Sequence, residues 1–351
     1  MADTTSITAL AIPDHAKESD GAWGFSRAQL VALGVLIAFL AVSPFVLYPV
    51  FLMKLLCFAL FACAFNLLIG YVGLLSFGHA AYFGMGGYLA GHAAKVGFHI
   101  EALNLGFARI PIGLHIPPLS PEVSIIIGGI TAGLLGVVAG WIAIRRQGIY
   151  FAMITLALAQ MVYFFCVQAP FTGGEDGIQA IPRGSFLGLF PLDRDLSMYW
   201  LVAGVFLVCF LLIHRIIHSP YGQVLKSIRE NEPRATSLGY RTDDYKLLAF
   251  ILSATLAGVA GATKSIVFGI ATLTDVHWSM SGEVVLMTLV GGLGTVFGPV
   301  VGAAVIVTMQ NYLAEMGAWV TVIQGVIFVA CVLAFRRGLI GELGALLKVK
   351  L

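Results

Sequence analysis

The chain has 351 residues, 59% of them hydrophobic and only 11% charged, with a formal net charge of +2. Water-soluble domains run nearer ~45–50% apolar and ~25% charged. The composition therefore excludes a soluble globular enzyme and a disordered tail, and the small net charge excludes a nucleic-acid binder, which needs a basic face to hold phosphates. What remains is an all-α polytopic membrane protein. A spanning helix takes roughly 20 apolar residues, so the length accommodates about eight to ten of them.

Residues 1–28 read as a polar N-terminal tail, without the basic, apolar and small-residue order of a signal peptide. A transmembrane domain then covers 29–337, with apolar segments at 29–46, 51–69, 72–94, 123–144, 148–169, 199–217 and 247–268. A broken apolar region at 283–313 and a last span at 319–335 complete it, and 338–351 reads as a C-terminal tail. Lys and Arg mark the cytoplasmic side. Arg145, Arg146, Arg215, Lys226, Arg229, Arg234, Arg241, Lys246, Arg336, Arg337, Lys348 and Lys350 are twelve of the twenty. They place both termini and the charged connection 218–246 inside, and the loops 95–122 and 170–198 outside.

Parity then constrains the broken region. It must start and end outside for Arg336 and Arg337 to finish inside, which a single crossing cannot do. A descending half-helix (Glu283–Val290), a turn through Gly291, Gly292 and Gly294, and an ascending helix (Val296–Tyr312) solve this. Phe297-Gly298 closes the turn. Helix breaks at membrane depth need protein or a watery cavity against them, so this turn is a candidate pathway element. A second breakable stretch is GYVGLLSFGHAAYFGMGGY (70–88), in which Phe77-Gly78 also follows a glycine-bearing turn. Paired broken segments are how many transporters build a site.

Nothing resembles a catalytic constellation. The eight histidines are scattered, and neither H-E-x-x-H nor G-x-S-x-G occurs. The five cysteines sit singly in apolar runs and read as small buried hydrophobes, with no metal site and no cofactor expected. Gly261–Ser265 shares the lysine and serine of a P-loop but has Thr263, not glycine, before Lys264, so this chain is not expected to bind ATP or to be an enzyme. Asn66 and Gln160 read as interhelical hydrogen-bonding groups, and Lys54 and Lys264 as snorkelling towards an interface. Glu283, at the outer end of its segment, is the one acid near a span, which leaves an ion-coupled secondary transporter as a weaker reading.

The connection SPYGQVLKSIRENEPRATSLGYRTDDYK (219–246) carries mixed charge. Asn231-Glu232-Pro233 reads as a helix start and Gly239 as its natural end. A short helix across the inner surface suits docking of a soluble partner; a plain solvated loop is the alternative.

Here the chain resembles ABC importer permeases, through Glu232, Ala235, Leu238 and Gly239 in the pattern E-x-x-A-x-x-L-G. More specifically it resembles the LivM-type permeases of branched-chain amino acid ABC transporters. The resemblance rests on residues 70–88, TGGEDGI (172–178), IRENEPRATSLGY (228–240), KLLAFILSATLAGVAGA (246–262) and LVGGLGTVFGPVVGA (289–303). It implies a bacterial inner-membrane subunit working with a homologous second permease, two cytoplasmic ATP-binding subunits and a periplasmic substrate-binding protein. The implied cargo is branched-chain or related small hydrophobic amino acids, with urea or short amides as the alternative. The coupling role falls on Arg229, Glu230, Asn231, Glu232, Ala235, Leu238 and Gly239. Gly73, Ser76, Phe77, Gly78, His79, Gly291, Gly292, Gly294 and Gly298 are pathway candidates. Ser76 and His79 would contact an amino-acid head group, against the alternative of helix packing. Thr172, Gly173, Gly174, Asp176 and Gly177 form an outer turn that gates the cavity, touches the binding protein or is an ordinary glycine-rich loop.

Overall fold

The computed structural model describes residues 27–104, 109–188, 190–314, 317, 319–334 and 338–346. Nearly all of the expected N-terminal tail lies outside them, as do Arg336 and Arg337. The described chain is helical throughout its apolar segments. Helices α1 (Arg27–Val46), α2 (Pro49–Tyr71) and α3 (His79–Lys95) lead into an antiparallel hairpin, β1 (Phe98–Asn104) and β2 (Arg109–Ile116). Next come α4 (Pro121–Ala143), α5 (Ile149–Gln168), two single-turn 3-10 helices and a small hairpin, β3 (Ser185–Phe186) and β4 (Phe190–Pro191). After α6 (Asp195–Ile217), the charged connection forms α7 (Pro220–Glu230) and α8 (Glu232–Ser237). Helices α9 (Thr242–Phe268), α10 (Trp278–Gly291), α11 (Gly298–Tyr312), α12 (Trp319–Ala334) and α13 (Gly338–Leu346) follow. Six of these, α1, α2, α4, α5, α6 and α9, are long and apolar enough to cross a membrane; α3, α10, α11 and α12 are apolar but shorter.

The helix ends alternate between two poles. One, the basic pole, gathers the α2–α3 turn, the α4–α5 link with Arg145 and Arg146, the α7–α8 connection and the α10–α11 turn. The other gathers both hairpins, the 170–194 loop and the α9–α10 link, tied together by Lys95 to the Gln179 carbonyl and by Ile178 pairing with Ala271.

The core forms where α9 meets α3 and α4. Apolar tails do not squeeze helices together as water does, so packing contact must hold them, and small residues allow close approach. A Cβ on Gly87 would lie 3.2 Å from the Gly261 carbonyl oxygen, and one on Gly140 2.9 Å from Phe250. Adding a methyl at such a crossing typically costs about 1–3 kcal/mol. Helix α2 is apolar on nearly every side and buried from Leu52 to Tyr71 apart from Lys54 and Ile69, as expected of a helix surrounded by others.

Four elements differ from the sequence expectation. The third span starts at His79, because Gly73, at φ +84°, ends α2 by donating to the Leu68 carbonyl. In the broken region the descending helix begins at Trp278, five residues early, where His277 accepts from the Ser279 amide and caps it. Its 14 residues rise about 21 Å, so the 292–297 turn reaches the basic pole rather than stopping at mid-depth. The 95–122 loop contains the β1–β2 hairpin. The C-terminal tail begins as α13, with Gly338 packed on the backbone of Gly292.

Candidate functional site

At the basic pole, α7 starts on Ser219, whose hydroxyl accepts from the Gly222 amide at 3.3 Å, with Pro220 in the first turn. Its apolar face buries Leu225 and Ile228. Tyr221 stacks on Tyr245 and donates to that residue's carbonyl at 2.9 Å; burial, reinforced by Tyr245, pushes the Tyr221 phenol well above its usual range. Asn231 then turns the chain. Its side chain accepts from the Arg234 amide at 3.1 Å, capping α8, and Pro233 supplies the first-turn geometry. The helix stops at Gly239, which adopts φ +91°, a conformation costly for side chains with a Cβ. Ala235 is buried beneath α8, whereas Glu230 is exposed and Leu238 is 69% exposed.

Glu232 clamps this helix to its surroundings. One carboxylate oxygen accepts from Lys246, from Gln147 at 3.0 Å and from Thr242 at 3.3 Å. Lys246 is 1% exposed, and Asp243 lies 3.6 Å from its ammonium as a second counter-charge. The clamp joins α8 to the start of α9 and to the α4–α5 link.

Arg229 reaches the other way. Its Nη1 donates to the Gly70 carbonyl at the end of α2. Its stem lies over Gly73, where a Cβ would sit 3.3 Å from Cγ. At Gly294, φ +74° disfavours a residue with a Cβ, and the turn passes beneath the guanidinium, where a Cβ would lie 2.9 Å from Nη1 and 3.1 Å from the Gly70 carbonyl oxygen. Asn66, one turn earlier on α2, donates to the Thr295 carbonyl at 2.9 Å and accepts from the Gly294 amide at 3.0 Å. Thr295 closes the turn from within, donating to the Gly292 carbonyl at 2.8 Å and accepting from the Gly298 amide at 3.1 Å. Gly291 packs on the Gly298 carbonyl. Two glycine turns and the charged connection, read separately in the sequence, thus meet around one arginine.

The other pathway candidates are placed as follows. The Phe77 amide donates to the Thr155 hydroxyl at 3.3 Å, and Gly78 passes close to the Thr155 carbonyl. Gly73 and Phe77 line a groove of about 430 Å³ with Ile149 and Met153 of α5. Ser76 and His79 are fully buried and do not line it. The Ser76 hydroxyl accepts from the Gly78 amide at 3.2 Å; His79 Nε2 pairs with the Ser253 hydroxyl at 2.8 Å inside a cage of Phe65, Tyr82 and Phe250. In this conformation both side chains serve packing. At the opposite pole, the Thr172 hydroxyl lies 2.6 Å from both the Cys166 and Ala169 carbonyls. Gly173, Gly174 and Gly177 take positive φ, Asp176 is exposed, and Ile178 exchanges backbone hydrogen bonds with Ala271.

Sequence reading missed the partners of the charges inside the apolar runs. Lys264 pairs with Asp275 instead of snorkelling, and Glu283 accepts from Gln310 at 3.1 Å. Charged letters in hydrophobic segments were the available signal, but their partners lie on other helices.

Residues 48–333, which carry both turns and the charged connection, match the family described as branched-chain amino acid transport system permease component. The high-affinity branched-chain amino acid transport system permease protein LivM of Escherichia coli strain K12 is 24% identical over 311 residues, covering 81% of this chain and 68% of that protein. The probable branched-chain amino acid transport permease protein LivM of Methanocaldococcus jannaschii is 27% identical over 283 residues, covering 71% and 77%. The autoinducer 2 import system permease protein LsrC of Salmonella paratyphi B is 26% identical over 211 residues, covering 54% and 55%. No solved structure matches the chain. The chain is a multi-pass membrane protein and belongs to the family of branched-chain amino acid transport permease components.

Proposed function

We propose that this chain forms the translocation pathway of a bacterial inner-membrane ABC importer for branched-chain or related small hydrophobic amino acids, driven by ATPases docked on α7 and α8. The partners are a homologous permease, two ATP-binding subunits and a periplasmic binding protein. The basic pole is cytoplasmic under this reading, because Lys and Arg concentrate there. The observation that carries the proposal is the Arg229 bridge from the end of α7 to the Gly70 carbonyl and the 292–297 turn. A push on α8 is transmitted through Arg229 to two helix breaks at once. Leu238 and Tyr240, 69% and 39% exposed, offer a docking partner apolar contact beside a groove of about 540 Å³ lined by Tyr221, Tyr240, Tyr245 and Leu248.

The test is reconstitution of the complex, co-purified from native membranes, into liposomes with its binding protein. ATP-driven uptake of leucine is expected. Gly239→Val should lower uptake at least about tenfold while insertion and basal ATP hydrolysis persist, because a β-branched residue at positive φ is strained by ~1–3 kcal/mol. A chain that purifies alone and moves solute on an ion gradient without ATP overturns the reading.

A further inference from the structure

The pole opposite the basic one holds an unusual set of charges. Lys54 is the sixth residue of α2 and Glu283 the sixth of α10, so each lies about 8 Å inside its helix start. The two helices pack on each other. Lys264 is neutralised by Asp275, which also accepts from the Thr272 hydroxyl at 3.2 Å. Glu283 accepts only from the neutral amide of Gln310. Lys54, half-buried, makes no hydrogen bond and no ion pair among the described residues; Lys264 repels it and Glu283 attracts it without contact. One cation and one anion therefore sit at the same depth on two packed helices, close enough to attract but without an ion pair between them. At this depth an unpaired charge is costly unless a partner arrives. A ligand carrying both charges would satisfy the two at once, and the surrounding apolar helices would take its hydrocarbon part.

We infer that Lys54 and Glu283 bracket the zwitterionic head group of an α-amino acid at the outer mouth of the pathway. The Lys54 ammonium takes the carboxylate and the Glu283 carboxylate takes the ammonium. This rests on the amino-acid importer reading above and adds the residues that recognise the cargo.

The reconstituted complex tests it. K54M and E283Q should each cut leucine uptake about tenfold or more, the loss expected for one charged hydrogen bond, while K54R stays within about threefold of wild type. Because a folding defect also lowers uptake, K54C supplies a second readout. Its reaction with an externally added charged thiosulfonate should be slowed by high leucine and by isopentylamine, whose ammonium still meets Glu283, but not by 4-methylpentanoate, whose carboxylate has lost its partner at position 54. Unchanged uptake by K54M and E283Q overturns the head-group site and leaves the importer reading standing. So does K54C labelling that is absent or indifferent to leucine. A wild-type complex that moves no zwitterionic amino acid on ATP overturns both.

Discussion

The two poles of the molecule treat buried charge in opposite ways. At the basic pole Lys246 is 1% exposed and has Glu232 in contact and Asp243 behind it, while Arg229, itself exposed, donates to a carbonyl at the end of α2. Each charge there holds one segment against another. At the opposite pole Lys264 and Asp275 pair in the same fashion, but Lys54 and Glu283, on neighbouring helices, form no ion pair. Removing one partner of a buried pair strands the other, which makes such pairs good clamps; an unpaired charge clamps nothing and costs its own desolvation. On the proposed reading, the difference separates a joint that transmits movement from a place that waits for a ligand.

The sharpest way to break that comparison is to make one substitution at both poles. Lys246→Met should destabilise the chain by about 2–3 kcal/mol, below the ~3–5 kcal/mol of a fully buried broken pair because Glu232 is partly exposed and keeps Gln147 and Thr242. Lys54→Met should be neutral or mildly stabilising. Thermal unfolding of the two variants in the same detergent decides it, and equal losses would erase the distinction between clamp and waiting charge. Arg229→Ala comes next, removing a charged donor to a carbonyl worth about 1.5–3 kcal/mol. Hydrogen exchange of the 292–297 amides should speed up tenfold or more (about 1.4 kcal/mol per decade), with uptake falling and ATP hydrolysis retained. If the turn stays as protected as in wild type, Asn66 alone holds it. The smallest expected effect is Asn231→Ala, a lost N-cap worth about 1 kcal/mol, read as faster exchange confined to α8 and restored by Asn231→Asp.

Local rules made much of the basic pole readable in advance. The α8 boundaries follow from Asn231 as cap, Pro233 in the first turn and Gly239 as stop, each a backbone requirement that depends on nearest neighbours alone. The α10–α11 hairpin was legible from charge parity, although its depth was not: the early start at Trp278 depends on the His277 cap. The pathway roles of Ser76 and His79 could not be weighed from letters. A serine or histidine in an apolar run looks the same whether it faces a cavity or, as His79 does here, a buried hydroxyl on α9.

Composition, hydropathy and the placement of Lys and Arg were enough to determine a polytopic helical chain with two breaks and one charged connection, because insertion into a bilayer is governed by sums over a segment rather than by particular contacts. Tertiary structure alone decided that Arg229, Gly70, Gly73 and Gly294 meet, that Glu232 closes on Lys246, and that Lys54 is left without an ion pair on a helix packed against that of Glu283. Those outcomes turn on which elements lie side by side and on distances of a few ångströms, and partners separated by anything from 14 to more than two hundred positions carry no local mark of either.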